Sequence, residues 1–460
     1  MILEQHYLEC LSQASYFIGD PTSGRAVVVD PRRDIAPYLE SAEEHGMTIE
    51  LIIETHFHAD FLSGHLELAE ATGAAIAYGS VADTEFESRK LADGEIISLG
   101  AVQLEIRHTP GHTPESISIV VYESPDDPPH SVLTGDTLFI GDVGRPDLLS
   151  SVGMTSEDLA SQLYDSLHGQ LMTLPDDTIL YPGHGAGSSC GKNLSSDTSC
   201  TIGRQRENNY AVAPMSREQF IDVVTEGQSA PPAYFAHDAQ LNRLLRPVFD
   251  AGQRSTGMTI DAVVAAALDG AVIVDTRDPG EFAAGHFRGS INIGLAGRFA
   301  EFAGAMLSPD SDLIVVAEDG RDEEARTRLA RIGFDRMLGH LADAEAALAA
   351  RPDVVVRSSR VDVAGAVDAI DDVQNLQLVD VRQPGETENG IIEGAILVPL
   401  TRLNAELDRL DPARPTLIYC AGGFRSSIAA SRLMAAGFDD VTDLLGGYGA
   451  WEQAHVAAAG

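Results

Sequence analysis

The chain of 460 residues is 44% hydrophobic and carries 70 acidic against 31 basic residues, a formal charge of −39. Such length and apolar content predict a folded protein of several domains, and such a charge repels nucleic acid and anionic lipid, so neither is expected as a partner. Four cysteines, Cys10, Cys190, Cys200 and Cys420, make no disulfide framework, MILEQHYLEC has no basic start before an apolar run, and no apolar stretch reaches membrane-spanning length; a cytoplasmic protein without a membrane partner is the expectation.

Taken in chain order, AVVVDP (26–31) and IELIIETH (49–56) read as buried strands ending in polar residues, and HLELAEATGA (65–74) as a helix. VQLEIRHTPGHT (102–113), SISIVVY (116–122), SVLTGDTLF (131–139) and TILYPGHG (178–185) read as further strands. In each case polar residues follow the strand, which is where α/β proteins place their chemistry. Residues 186–203 form a loop of small residues. Its Cys190 and Cys200 read as structural or incidental thiols, and Lys192 as a candidate contact for an anionic substrate. PVFDAGQRSTG (247–257) reads as a linker. Beyond it, residues 271–293 align with 376–398 and 312–334 with 416–438, an internal repeat of about 100 residues with the rhythm of a small parallel α/β domain. The predicted domains are 1–250, 258–350 and 358–460.

Metal-ligating residue types gather at the strand ends of the first domain. THFHAD supplies His56, His58 and Asp60; TPGHT, TGDTLF and YPGHG supply His112, Asp136 and His184; GRPD supplies Arg145. Neutral imidazole and carboxylate are good ligands for zinc and for ferrous iron. These successive motifs resemble those of the metallo-β-lactamase superfamily over residues 1–250, which implies an αββα sandwich with metal at the sheet edges. Binuclear zinc hydrolases of that superfamily carry a further histidine where this chain has Phe61, so a second zinc would lose a ligand. The mononuclear persulfide dioxygenases are the nearer resemblance. It implies one Fe(II) held by His56, His112 and Asp136, with His58, Asp60 and His184 orienting ligands, binding water or serving as alternative ligands. It also implies that Arg145 meets the carboxylate of a thiol substrate.

In the second repeat, IYCAGGFRS (418–426) sets Cys420 directly after an apolar strand and before a helix. The glycine pair lets backbone N–H groups turn toward the sulfur, the helix start adds its positive end, and Arg425 adds a charge; all three favour an anionic sulfur. This stretch, with Asp380 and Arg382 of LVDVR and with LLGGYGAW (444–451), resembles the rhodanese family. The resemblance implies catalysis by Cys420 and Arg425, and substrate binding by Ala421, Gly422, Gly423, Phe424, Ser426 and Asp380. The first repeat has no cysteine; an ungapped alignment puts Val316 at the place of Cys420, and Glu318, Asp319, Asp322, Glu323 and Glu324 would repel anionic sulfur compounds. It reads as a silent copy that packs between the active domains or forms a dimer contact.

The fold expectation is therefore α/β: an N-terminal αββα metallo-β-lactamase sandwich followed by two small parallel α/β rhodanese-like domains. The function implied is a non-haem iron dioxygenase that oxidises a low-molecular-weight thiol persulfide with O₂ to sulfite and thiol, coupled to a sulfurtransferase that forms or uses thiosulfate. The alternative is a zinc-dependent thioester or lactone hydrolase with a sulfurtransferase tail. A homodimer is the default oligomer.

Overall fold

Runs of β-branched residues build the first sheet of the N-terminal region, in the order Ile2–Leu8, Gln13–Asp20, Arg25–Val29, Thr48–Ile53, Ala75–Gly79, Arg89–Leu91. A second sheet runs Cys200–Thr201, Ile179–Pro182, Ser131–Gly135, Ile117–Tyr122, Gln103–His108, Ile96–Ser98. This computed structural model describes residues 1–148, 153–228, 231–388 and 390–459. The chain divides into two units, Met1–Ala251 with Ala330–Gly333, and Gly252–Leu329 with Phe334–Gly460.

Side-chain alternation along each strand decides the layers. Val27, Val29, Leu51 and Ile53 face Leu104, Ile106, Ile117, Ile119 and Leu133 between the sheets. Their neighbours Val28 and Ile52 face outward, under Tyr38 of helix Ala36–Glu44 and Leu66 and Leu68 of helix His65–Thr72. On the far side, Val120, Val132 and Leu180 pack under Ala160 and Leu163 of helix Ser156–Ser166 and under Phe220 and Val224 of helix Arg217–Thr225. The result is an αββα sandwich. One expected strand is broken in a way that matters. SVLTGDTLF joins the second sheet only over Ser131–Gly135, and Leu138–Phe139 pairs separately with Asp142–Val143, because Gly135 turns to φ +48, where an added Cβ would meet the Thr55 side chain. The chain leaves the sheet there, and Asp136 is delivered at its rim.

The second unit holds two parallel five-stranded sheets with the same order. The first copy runs Gly257–Met258, Met337–Leu341, Leu313–Val316, Val272–Asp275, Ile291–Asn292; the second runs Ser359–Val361, Val441–Leu444, Thr416–Tyr419, Gln377–Asp380, Ile396–Leu397. Register corrects the ungapped alignment. Asp275 pairs with Val316 as Asp380 pairs with Tyr419. Ala317, not Val316, therefore stands at the place of Cys420. The same Phe-to-Leu turn bond closes both following helices, Phe334 N–H to Leu329 O and Phe438 N–H to Leu433 O, so the first copy has one residue fewer between strand and turn. The copies touch: Asn292 N–H donates to Ser431 Oγ at 2.9 Å, Asn404 Nδ2 to the carbonyls of Ala305 and Met306 at 3.0 and 3.1 Å, and Phe302 meets Phe424 with ring centroids 5.8 Å apart. Among the described residues no helix is long and apolar enough to cross a membrane.

A buried ionic cluster ties the end of the first unit to its core. Glu67 Oε1 accepts from Arg33 Nε at 2.9 Å, Arg246 at 2.6 Å and the Phe249 N–H at 3.0 Å. Burial alone would raise this carboxyl, but Arg246 and Arg33 outweigh it and lower it from 4.5 to about 2. Its stabilising share is complete above the ordinary carboxylate value and disappears as pH falls from 4.5 toward 2. Acid titration of thermal stability in that window is expected to show a loss that Glu67→Gln, already destabilised at neutral pH, no longer shows.

Candidate functional sites

The loop after strand Thr48–Ile53 carries His56 by a relay that begins 26 residues earlier. Asp30, held at φ +51 where non-glycine residues are rare, accepts from Thr55 N–H at 2.7 Å and from Thr55 Oγ1 at 2.8 Å. With its own proton committed to Asp30, Thr55 Oγ1 can only accept from His56 Nδ1, 2.9 Å away. That fixes the tautomer and leaves the Nε2 lone pair of His56 free to face inward. His112 is set the same way, its Nδ1 donating to the Arg145 carbonyl at 2.9 Å.

Asp136 closes the group. Its Oδ2 lies 3.9 Å from His56 Nε2 and 3.6 Å from His112 Nε2. Its Oδ1 takes His184 Nδ1 at 2.7 Å, and His184 Nε2 reaches Asp60 Oδ2 at 2.7 Å. Gly183 permits this approach, since a Cβ there would come within 2.5 Å of Asp136 Oδ1. Burial holds His56 well below its ordinary value, and His112 is lowered by burial too. Burial would raise Asp136, but His184 outweighs it and keeps the carboxyl ionised; for His184 the same two carboxylates overcome burial and hold it protonated. Two neutral imidazoles and one carboxylate are thereby presented together, the state in which such groups bind a metal. His56 Nε2 and Asp136 Oδ2 are buried and have no hydrogen-bond partner among the described residues. Leaving such atoms unpaired costs about 1–3 kcal/mol each, a cost that a cation between them removes. The residues present fit a resident metal.

The other expected residues are placed differently. His58 does not join His56. Its Nε2 turns to Asp30 at 3.1 Å and Glu54 at 3.3 Å, and its ring packs 4.3 Å from that of Phe61. Burial would lower it, but Asp30 and Glu54 push it up to about 10, and its ligand atom groups with theirs, within 4.8 Å, apart from the group of His56, His112 and Asp136. Asp60 and His184 are brought together with Cys190, whose sulfur lies within 4.8 Å of their ligand atoms; burial, with Asp60 and Asp136 nearby, pushes the Cys190 thiol up. Arg145, expected at a substrate carboxylate, is buried and grips Asp147 through two 2.7 Å bonds, while its carbonyl holds His112. Lys192 donates to the carbonyls of Val223 and Glu226 at the end of helix Arg217–Thr225. Cys200 accepts from Gln205 Nε2 at 2.9 Å, in keeping with a structural thiol.

In the second unit Cys420 follows strand Thr416–Tyr419, and its sulfur accepts the Gly423 N–H at 3.1 Å. Gly423 reaches φ +92, and helix Phe424–Ala435 starts from it. Ala421 and Gly422 are exposed, Phe424 is half-buried, and Ser426 is fully buried under the loop. Arg425 does not offer a bare charge. Glu386 holds it through two 2.6 Å bonds. Asp380, expected to touch substrate, is fully buried and paired with Arg382 at 2.6 Å, whose guanidinium lies 4.1 Å over the Tyr448 ring. Asp30, Glu54, Thr55 and Glu386 escaped the sequence reading, and Cys190, read there as a structural or incidental thiol, is grouped with Asp60 and His184. Asp30 and Glu54 carried the same signal as His56, a polar residue closing an apolar strand; Cys190 carried only its distance of six residues from His184.

Comparison with known proteins follows this geometry. Residues 8–184 match the family model of the metallo-beta-lactamase superfamily, and residues 261–343 and 363–454 match that of the rhodanese-like domain. The mitochondrial persulfide dioxygenase ETHE1 of Homo sapiens is 29% identical over 231 residues, 49% of this chain and 80% of the human protein. A probable hydroxyacylglutathione hydrolase of Schizosaccharomyces pombe is 34% identical over 163 residues, 35% of this chain and 59% of the yeast protein. Among solved structures, a metallo-beta-lactamase from Staphylococcus aureus is 32% identical with a TM-score of 0.67, covering 74% of this chain and 98% of that one.

The relay to His56 is directly testable. Thr55→Val keeps the shape but removes the hydroxyl, and is expected to weaken metal affinity by about 10–100-fold. Competition with a chelator measures it.

Proposed function

The chain belongs to the metallo-β-lactamase superfamily and bears two rhodanese-like domains, and from that premise we propose that it is a persulfide dioxygenase joined to a sulfurtransferase. The observation that carries the first half is the pair of orphaned, buried ligand atoms, His56 Nε2 and Asp136 Oδ2, converging beside His112 Nε2. Asp60 and His184 are meanwhile occupied with each other and with Asp136. One metal site is complete in this arrangement, and Phe61 stands where another imidazole would be needed for a second.

Ferrous iron held by His56, His112 and Asp136 would supply the redox chemistry that lets O₂ react with a persulfide. Persulfide, O₂ and water give thiol, sulfite and two protons; the sulfane sulfur loses four electrons and O₂ accepts them. The protein's part is to position and to exclude water. Thr55 and the Arg145 carbonyl hold the two imidazoles in the ligating tautomer. His184 keeps Asp136 ionised through the turnover and is itself placed by Asp60.

In the second half, the Cys420 thiolate attacks the sulfane sulfur of a persulfide, the S–S bond breaks, and the carrier thiol leaves with the electron pair. The Gly423 N–H steadies the resulting anionic sulfur. Sulfite then attacks the outer sulfur, releasing thiosulfate and restoring the thiolate. The product of the first site is thus a reactant for the second. The small molecules involved are a thiol persulfide, O₂, sulfite and thiosulfate.

A second reading is favoured by one observation, the grouping of Asp60, His184 and Cys190 beside the first site. If those three hold a second ion, the domain is a zinc thioester hydrolase. Metal analysis separates the two. Anaerobically purified protein is expected to carry about one iron per chain and to consume O₂ with glutathione persulfide; two zincs with thioester hydrolysis would replace the proposal. Cys420→Ser is expected to abolish sulfane transfer to sulfite while leaving persulfide-dependent O₂ uptake in place; equal loss of both activities would contradict separate sites.

A further inference from the structure

The loop from Thr55 to Gly64 has almost no regular secondary structure, so its buried carbonyl and N–H groups need partners from elsewhere. A segment far downstream provides them. Asn242, fully buried at the end of helix Phe235–Leu241, donates through Nδ2 to the carbonyl of His58 at 2.8 Å and to that of Phe61 at 2.9 Å. Its Oδ1 accepts the Ser63 N–H at 2.8 Å. Two acceptors on one side and one donor on the other leave a single orientation of the amide that satisfies all three bonds. The Tyr234 hydroxyl adds a bond to the Asp60 carbonyl at 3.3 Å, and Arg246 donates to the Ser63 carbonyl while anchored on Glu67. These bonds straddle Asp60, the residue that places His184 and through it Asp136. The segment lies beyond residues 8–184, the stretch that the superfamily model covers.

We propose that Asn242 is a positioning residue of the metal centre, fixing from outside the superfamily core the loop that carries His56 and Asp60. The inference rests on the single-metal reading above. No other side chain type with Asn's length offers both a two-proton donor and an acceptor at these positions. Asn242→Asp keeps the size and the bond to Ser63 N–H but turns an acceptor toward the carbonyls of His58 and Phe61.

The test uses the full chain and ferrous iron alone. Asn242→Asp is expected to lose iron to a chelator about 10–100-fold faster than the parent, and to show a smaller iron-dependent rise in melting temperature. Retention equal to the parent's overturns the inference, and so does an unchanged iron-dependent rise in a variant whose metal-free form melts lower, because that is a purely architectural effect. If Asn242→Asp does not fold, Tyr234→Phe decides. It removes one hydroxyl bond and should speed iron loss by about fivefold; an unchanged rate overturns the inference. A parent chain that takes up no ferrous iron overturns the single-metal reading and this inference together, whereas iron held equally by parent and variant overturns the inference alone.

Discussion

A protonated imidazole lodged between two buried carboxylates keeps the N-terminal site in order. His184 touches Asp136 on one side and Asp60 on the other, at 2.7 Å each, and all three are nearly inaccessible to solvent. Removing the imidazole would leave two like charges unpaired in a low-dielectric interior, a loss of about 3–5 kcal/mol for comparable buried pairs. The bridge therefore sets the distance between the loop that carries Asp60 and the sheet rim that carries Asp136. His56 and His112 are tuned the opposite way, by burial. One pocket thus contains histidines in both protonation states, sorted by whether a carboxylate lies within hydrogen-bond reach.

Much of this is legible in the sequence. The alternation of Val27, Val28 and Val29, and of Leu51, Ile52 and Ile53, announced strands buried on both faces, and polar residues at their ends announced a site. His56, His112 and Asp136 were singled out by resemblance to the persulfide dioxygenases, and the structure brings the three together. The partners of His58 were less legible. In an irregular loop, side-chain direction follows backbone torsions and remote charges, and here the His58 ring lies 4.2 Å from that of His56 while its Nε2 faces Asp30 and Glu54. The break at Gly135 was equally hidden, since nothing in TGD distinguishes a straight strand from one that leaves the sheet until the Thr55 side chain is seen against it. The partners that Arg145 and Lys192 have within the chain were hidden for another reason. A cation near a site suggests an anion to bind, yet Asp147 and two helix-end carbonyls were already there to receive them.

The rhodanese-like half shows how far two copies of one plan can drift while keeping their framework. Asp275 and Arg277 are paired as Asp380 and Arg382 are, and both sheets keep the same strand order. What changed is the loop. In the second copy it wraps a sulfur, with Arg425 neutralised by Glu386; in the first it is an acidic turn on which Arg321 pairs with Glu324. The two copies also meet there, because Phe302 of the first packs against Phe424, which starts the helix after the Cys420 loop.

The register match between Ala317 and Cys420 has a consequence for exchange between the copies. A thiol placed at Ala317 would stand at the matching strand end, but the next two residues are Glu318 and Asp319, where the second copy has Ala421 and Gly422. Sulfur there would develop its charge beside two carboxylates, the reverse of the setting around Cys420.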